Sequence, residues 1–199
     1  MQVGEISDAH TTHAAMNAVR SGRLTLATMH TDEPYEIFER MHGFDFEQLA
    51  PRITCNHRLV TGIFGTRLFP RLCERCRISL AGAGADALPS YLRDDLATWG
   101  PLEHVALKGP GCPACHGKGL AGRLSVIEVI LTSRALMADI RDLPLEDAMQ
   151  RHRRRPCSDR ALIDRAIEHV LAGRIDPFEL QNHLRLERRE EVYGDGEGR

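Results

Sequence analysis

Short apolar runs and helical spacings alternate along the first part of the chain. QVGEI is a strand-length apolar run closed by polar residues, and RLTLATMH is another. Between them Ala14, Ala15, Ala18 and Val19 recur on one helix face, with Asp8 placed to cap that helix and Gly22 to end it. Two strands joined through a helix predict a parallel βαβ unit, whose strands finish at the same edge of the sheet. Open α/β sheets gather their chemistry at that edge, and Glu5 and His30 stand at the carboxyl ends of the two predicted strands.

From Pro34 the period turns helical: Pro34 suits a first turn, and Ile37, Phe38 and Met41 share a face. A second helix is predicted from Phe46 to about Val60. FGTRLFPRLC predicts a strand that leads into a cysteine pair, and GRLSVIEVIL predicts another after a second pair. Between them, residues 80–90 are poor in apolar bulk and rich in Gly and Ala, which predicts a loop, followed by a short helix from Ser90 to Trp99. From Ser133 to Arg189 the pattern is one of short amphipathic helices, broken at Pro144, Pro156 and Pro177, with Gly173 as a C-cap. The Gly-rich tail from Tyr193 to Arg199 is expected to be disordered. No apolar run approaches the ~20 residues of a membrane helix. MQVGEISD has neither the basic nor the apolar region of a secretory signal, so the cytoplasm is the expected compartment.

Composition narrows the classes. At 199 residues, 42% hydrophobic and 27% charged, the chain is long enough for one or two domains with a buried core. The 26 Lys and Arg against 28 Asp and Glu leave a net charge of −2, which provides no bulk positive field for nucleic acid. Of the six cysteines, four fall in two CxxC pairs, Cys73/Cys76 and Cys112/Cys115, with 35 residues between the pairs. Four soft thiolates in two chelating turns are the ligand set of a closed, tetrahedral, structural zinc site. The alternatives are free core thiols or a disulfide. One ion would staple a loop that has no core of its own, so removing zinc is expected to disorder 73–122 and spare the βαβ unit. Cys55 and Cys157 read as ordinary small apolar residues. CPACHGKG also fits the CxxCxGxG unit of the J-protein co-chaperone zinc domain. The run Arg151, Arg153, Arg154, Arg155 follows Glu146 and Asp147 on a predicted helix, and reads as a solvated face or a weak contact with anionic lipid.

The order VGEISD, SGRLTLATMHT, TRLFPRLCERC, GCPACHGKGLAGRLSVIEV resembles the C-terminal part of the type II secretion and type IV pilus assembly ATPases, from Val3 to about Leu180. The resemblance implies an α/β fold: part of a RecA-like P-loop NTPase sheet, a tetracysteine zinc subdomain and an α-helical C-terminal region. It divides the chain into 1–72 (Walker B and His box), 73–122 (zinc), 123–192 (a strand, then helices) and a tail, 193–199. Glu5 matches the Walker B glutamate, which orients the attacking water or helps hold Mg²⁺, and His30 matches the His-box histidine, a sensor of the γ-phosphate. Gly4, Asp8, Thr31 and Arg67 fall at the periphery of the nucleotide site. Cys73, Cys76, Cys112 and Cys115 match the family's zinc ligands. ATP and Mg²⁺ are the implied cofactors besides Zn²⁺. A homo-hexamer and inner-membrane platform proteins are the implied partners, at the cytoplasmic side of the bacterial inner membrane.

The chain departs from that pattern at Ser7, His10, Arg23, Asp32 and Thr66, several of them near the expected phosphate edge. It also carries no GxxxxGK[ST] among its 199 residues, so the main phosphate cradle is missing and the isolated chain is not expected to hydrolyse ATP efficiently. Met1 is read as an internal residue or a misplaced start. Two further classes stay open: a catalytically inactive zinc-stabilised interaction module of a secretion system, and a zinc-ribbon nucleic-acid binder.

Overall fold

The computed structural model describes residues 1–82, 87–156, 158 and 160–193. In chain order it contains β1 (Gln2–Glu5), α1 (Ala9–Arg20), β2 (Leu26–Thr28), a 3₁₀ turn (Pro34–Glu36), α2 (Ile37–Phe44), α3 (Pro51–Thr54) and β3 (Gly62–Leu72). There follow β4 (Ile78–Ser79), α4 (Ser90–Ala97), β5 (Ala106–Leu107), a 3₁₀ turn (Pro113–Cys115) and β6 (Leu120–Leu131). The last elements are α5 (Arg134–Asp142), α6 (Leu145–Arg153), α7 (Leu162–Leu171), α8 (Pro177–His183) and α9 (Arg189–Tyr193). The chain forms two compact units, Met1–Gly65 with Val129–Ser158, and Thr66–Glu128 with Asp159–Arg199.

In the first unit β1 and β2 pair in parallel, Gln2 opposite Leu26 and Glu5 opposite Thr28, with an irregularity between Val3 and Glu5. Asp8 caps α1 as its position predicts. Its carboxylate accepts from Thr11 N at 2.7 Å, and Thr11 Oγ1 accepts from Asp8 N at 3.3 Å, a reciprocal capping box. The predicted helix from Phe46 to Val60 is reduced to the four residues of α3. Asp45 captures the amides of Glu47 and Gln48 at 3.2 and 3.0 Å, competing with the helix, and Pro51 holds Ala50 extended at ψ 150°. Tyr35, Phe38, Met41, Ile63, Ile130, Leu136, Met137 and Ala148 form the core of this unit.

β3 and β6 pair with each other. Thr132 N donates to Thr61 O at 3.2 Å and Cys73 N to Gly119 O at 3.0 Å, so the start of one strand lies by the end of the other and the pair is antiparallel. β4 and β5 form a short antiparallel pair in the second unit.

The segment between the cysteine pairs has a core, contrary to its reading as an empty loop. Leu80, Leu88, Leu92, Leu96, Val105 and Leu107 are buried with Leu162, Ala166, Ile167, Val170 and Leu180 of α7 and α8. Long-range packing against helices more than fifty positions away supplies what the local composition lacks. Gly173, at φ +64°, ends α7 as expected, and its carbonyl accepts from Arg77 Nη1 at 2.5 Å. The reading of Arg151–Arg155 as a solvated face fails at two positions. The Arg153 side chain is 9% exposed and pairs with Glu33, and Arg155 pairs with the buried Asp139, while Arg151 and Arg154 stay exposed. Cys55 is buried, as expected of an apolar residue. Cys157 and residues 194–199 of the tail lie outside the described residues.

Glu128, on the inward face of β6 between Val126 and Ile130, is 1% exposed and accepts from Leu162 N at 2.9 Å. Ala161, at the N-cap of α7, has no side-chain oxygen, so Glu128 helps satisfy that helix end from another element. Glu128→Ala is expected to lower stability by about 2 kcal/mol, read as a shift in the denaturant midpoint with an unchanged slope.

Candidate functional site

The cysteine pairs meet because of where β3 ends and β6 begins. Cys73 follows the last residue of β3, and the chain turns tightly there, with Cys76 N and Arg77 N both donating to Cys73 O, at 3.3 and 3.0 Å. The second pair sits on the 3₁₀ turn Pro113–Cys115, just before β6. The result brings all four sequence-predicted ligands together, with their sulfurs within 4.8 Å of one another. Cys73 Sγ lies 3.8 Å from Cys112 Sγ, Cys76 Sγ 3.9 Å from Cys115 Sγ, and Cys112 Sγ 3.8 Å from Cys115 Sγ. A zinc tetrahedron with Zn–S bonds of ~2.3 Å has S···S edges of ~3.8 Å, so the donor set fits the ion in both chemistry and spacing. These distances are far too long for disulfides, and the described cysteines are free.

Backbone donors prepare the site for anionic sulfur. Cys112 N and Gly119 N each point at Cys115 Sγ at 3.2 Å and, led by the Cys112 amide, pull this thiol down to about 6. Cys76 is pushed up to about 12 by desolvation first and then by the neighbouring thiols. The two turns also touch through backbone. A Cβ on Gly109 would lie 1.6 Å from Cys76 O, and one on Gly119, at φ +71°, would lie 2.4 Å from Gly109 O. Sequence reading passed over Gly109, because only the meeting of the two turns gives it meaning.

The second site is the carboxyl edge of β1 and β2, in the first unit. His30 Nε2 lies 4.0 Å from Glu5 Oε1, with the side chains 88% and 49% exposed, so the pair contributes little to stability and both groups stay accessible. Thr28 Oγ1 donates to Gly4 O at 2.5 Å, tying the strand ends together beneath them. Asp8 is committed to capping α1, where the Thr11 amide and hydroxyl hold its carboxyl below the usual range. Thr31 directly follows His30. Arg67, on β3, belongs to the other unit and reaches the carbonyl of Thr66 at 3.2 Å.

A family model described as Type II/IV secretion system protein matches residues 1–186. The chain belongs to that family. It is 30% identical to the type II secretion system ATPase E of Vibrio cholerae over 152 residues, 76% of this chain and 28% of that protein. It is 29% identical to the type II secretion system protein E of Pseudomonas aeruginosa over 154 residues, 77% of this chain and 28% of the relative. With the type IV pilus assembly ATPase PilB of Thermus thermophilus it shares 29% identity over 132 residues, 66% of this chain and 14% of that one. The chain thus spans about a third or less of the curated relatives it matches. Within the Type II/IV secretion family segment, both the tetracysteine cluster and the Glu5–His30 edge fall inside the matched residues.

The cluster generates three predictions. Zinc titrated into the metal-free, reduced protein at pH 7.5 is expected to release protons, with affinity falling as the pH is lowered and falling more steeply still below about pH 6, where the Cys115 thiolate is also lost. Chelation is expected to speed amide exchange at 73–77 and 108–119 but to spare α4 and α7, whose core needs no metal. Gly109→Ala, which forces the two turns apart, is expected to cost about 1–3 kcal/mol and to accelerate zinc loss to a chelator.

Proposed function

We propose that this chain is the C-terminal part of the core of a motor ATPase that drives type II secretion or type IV pilus assembly. The observation that carries the reading is the placement of Glu5 and His30, 4.0 Å apart at the carboxyl ends of adjacent parallel strands, within a segment matched to the family. In this reading Glu5 orients the attacking water or a Mg²⁺-bound water in line with the γ-phosphate of ATP. His30 senses that phosphate, and Gly4, Asp8, Thr31 and Arg67 flank the site. Positioning and electrostatics dominate phosphoryl transfer, so an exposed carboxylate at a fixed strand end suits the task. Parallel strands are ordinarily covered on both faces. The exposed Leu24 and Leu26 on and beside β2 support a larger, partial RecA-like sheet of which β1 and β2 are one part.

The remaining assignments extend the reading. Residues 1–72 carry the nucleotide edge, 73–122 the zinc subdomain held by Cys73, Cys76, Cys112 and Cys115, and 123–192 a strand and the helical region. The assembled protein works as a homo-hexamer on inner-membrane platform proteins, at the cytoplasmic face. Exposed Arg151 and Arg154 are suited to a weak contact with anionic headgroups there. No helix among the described residues is long and apolar enough to cross a membrane. A second reading, an inactive zinc-stabilised interaction module of a secretion system, is supported by the tetracysteine cluster, a closed set of four ligands with no open position.

The native protein, captured from cells with an antibody against this chain, separates the two. The motor reading expects ATP hydrolysis, and expects Glu5→Gln to lower kcat by about 100-fold or more while KM changes by only a few-fold. A native mass near 22.3 kDa with no ATPase activity would overturn it in favour of the interaction module.

A further inference from the structure

The segment that follows His30 is held from three sides, all within the first unit. Glu36 Oε2 accepts from Asp32 N at 3.1 Å and from Glu33 N at 3.2 Å, closing the turn on itself. Pro34 is wedged against β3, where a Cβ on Gly65 would lie 2.4 Å from Pro34 Cγ. From α6, Arg153 Nη2 donates to Glu33 Oε2 at 3.2 Å, and its guanidinium lies 5.6 Å from the centroid of the Tyr35 ring. Tyr35 is fully buried, and His152 meets its ring edge-on at 6.0 Å.

A surface arginine would not explain this arrangement. Arg153 keeps its charge at any ordinary pH, and its side chain is only 9% exposed, so placing it here requires the carboxylate and the ring as partners. Both partners lie within five residues of His30, at positions 33 and 35. His30 itself is 88% exposed, and the one charged side chain it meets among the described residues is Glu5 at 4.0 Å. Its position is therefore set by the backbone on either side: β2 before it, and the held turn after it.

We propose that Arg153 is a positioning residue for His30. By clamping Glu33 and Tyr35 it makes α6 a relay, so that a displacement of α6 is felt at the edge where Glu5 and His30 stand. The proposal rests on the nucleotide reading of that edge for its purpose, but the clamp is a property of this chain and can be tested without nucleotide. The basic run thus divides its labour: Arg153 acts inward, while Arg151 reaches Asp139 at 3.5 Å from an exposed position.

The test uses the full chain in solution by NMR, comparing Arg153→Ala, Arg153→Lys and Glu33→Gln, with Arg151→Ala as the control. Arg153→Ala is expected to speed exchange of the Asp32 and Glu33 amides about tenfold, the order of losing one partly buried charge pair, and to shift the His30 ring signals. Amides in α1 and α5 are expected to keep their protection. Arg153→Lys restores the charge but not the planar stack and is expected to fall between, and Arg151→Ala is expected to change nothing at 30–36. Should Arg153→Ala fail to fold, Glu33→Gln, which keeps the shape and removes the carboxylate charge, reads the same clamp through the same signals. Unchanged exchange at 31–36 and an unchanged His30 spectrum in a folded variant would overturn the proposal, whatever the ATPase assay gives. A loosened turn in a native protein that hydrolyses no ATP would leave the clamp standing and remove only its nucleotide purpose.

Discussion

The antiparallel pairing of β3 with β6 is the constraint from which the rest of this structure follows. At one end it sets Cys73 beside Gly119, so two cysteine pairs separated by 35 residues arrive face to face. Closing so long a loop costs little more than closing a shorter one, because the entropy of closure grows only logarithmically with length. At the other end, beside Thr61, the chain leaves β6 at Thr132 and enters α5 and α6, which pack in the first unit with the Tyr35 turn. A slip of one residue in this pair would reverse the inward face of β6, exposing Val126 and Ile130 and burying Arg123.

The carboxylates of the molecule fall into two groups with different physics. Glu128, Asp139 and Asp176 are buried, and each is held by backbone amides or by arginine: Asp176 takes Lys108 N at 2.6 Å and Phe178 N at 2.8 Å, much as Glu128 takes Leu162 N. Their hydrogen-bonding capacity is consumed by the fold. Glu5 is half exposed and meets His30 across 4.0 Å, a separation that leaves room for water or a ligand oxygen to bridge. Consumption by the fold, rather than acidity, distinguishes these structural carboxylates from Glu5, which stays accessible.

Much of this was legible in the chain itself. The strand–helix–strand opening, its capping by Asp8, the proline breaks and the Gly173 cap are local effects, and local pattern reads them. The cysteine quartet was legible because soft ligands at chelating spacing have few other uses. What escaped was non-local. Residues 80–90 look empty in a window, yet Leu80 and Leu88 pack against helices from the far end of the chain. The helix predicted from Phe46 lost to an Asp45 side chain and to Pro51, two residues whose effect on backbone amides outweighs the apolar period. Arg153 was hidden inside a basic run, since charge patterning records the sign of a side chain and not the direction it takes. Glu128 could have been suspected, because Val126, Glu128 and Ile130 share one face of a strand and a carboxylate in that row needs a buried donor.

The cysteine cluster and the turn after His30 reach precision by the same device. At the cysteine cluster Gly109 lets backbone approach backbone, and at the His30 turn Gly65 lets Pro34 seat directly against β3. Contacts of this kind have no rotamers to lose, so they fix geometry more tightly than two flexible side chains can. Polar groups then lock each approach: amides on Cys115 Sγ in one case, Arg153 on Glu33 in the other. The core of the second unit stands on Leu92, Leu96, Val105 and the α7 face, apart from the four cysteines. A zinc ion held by the four sulfurs would fix how the two cysteine turns cross at the ends of β3 and β6. At both places close backbone approach and polar contacts act on position rather than on the existence of the fold.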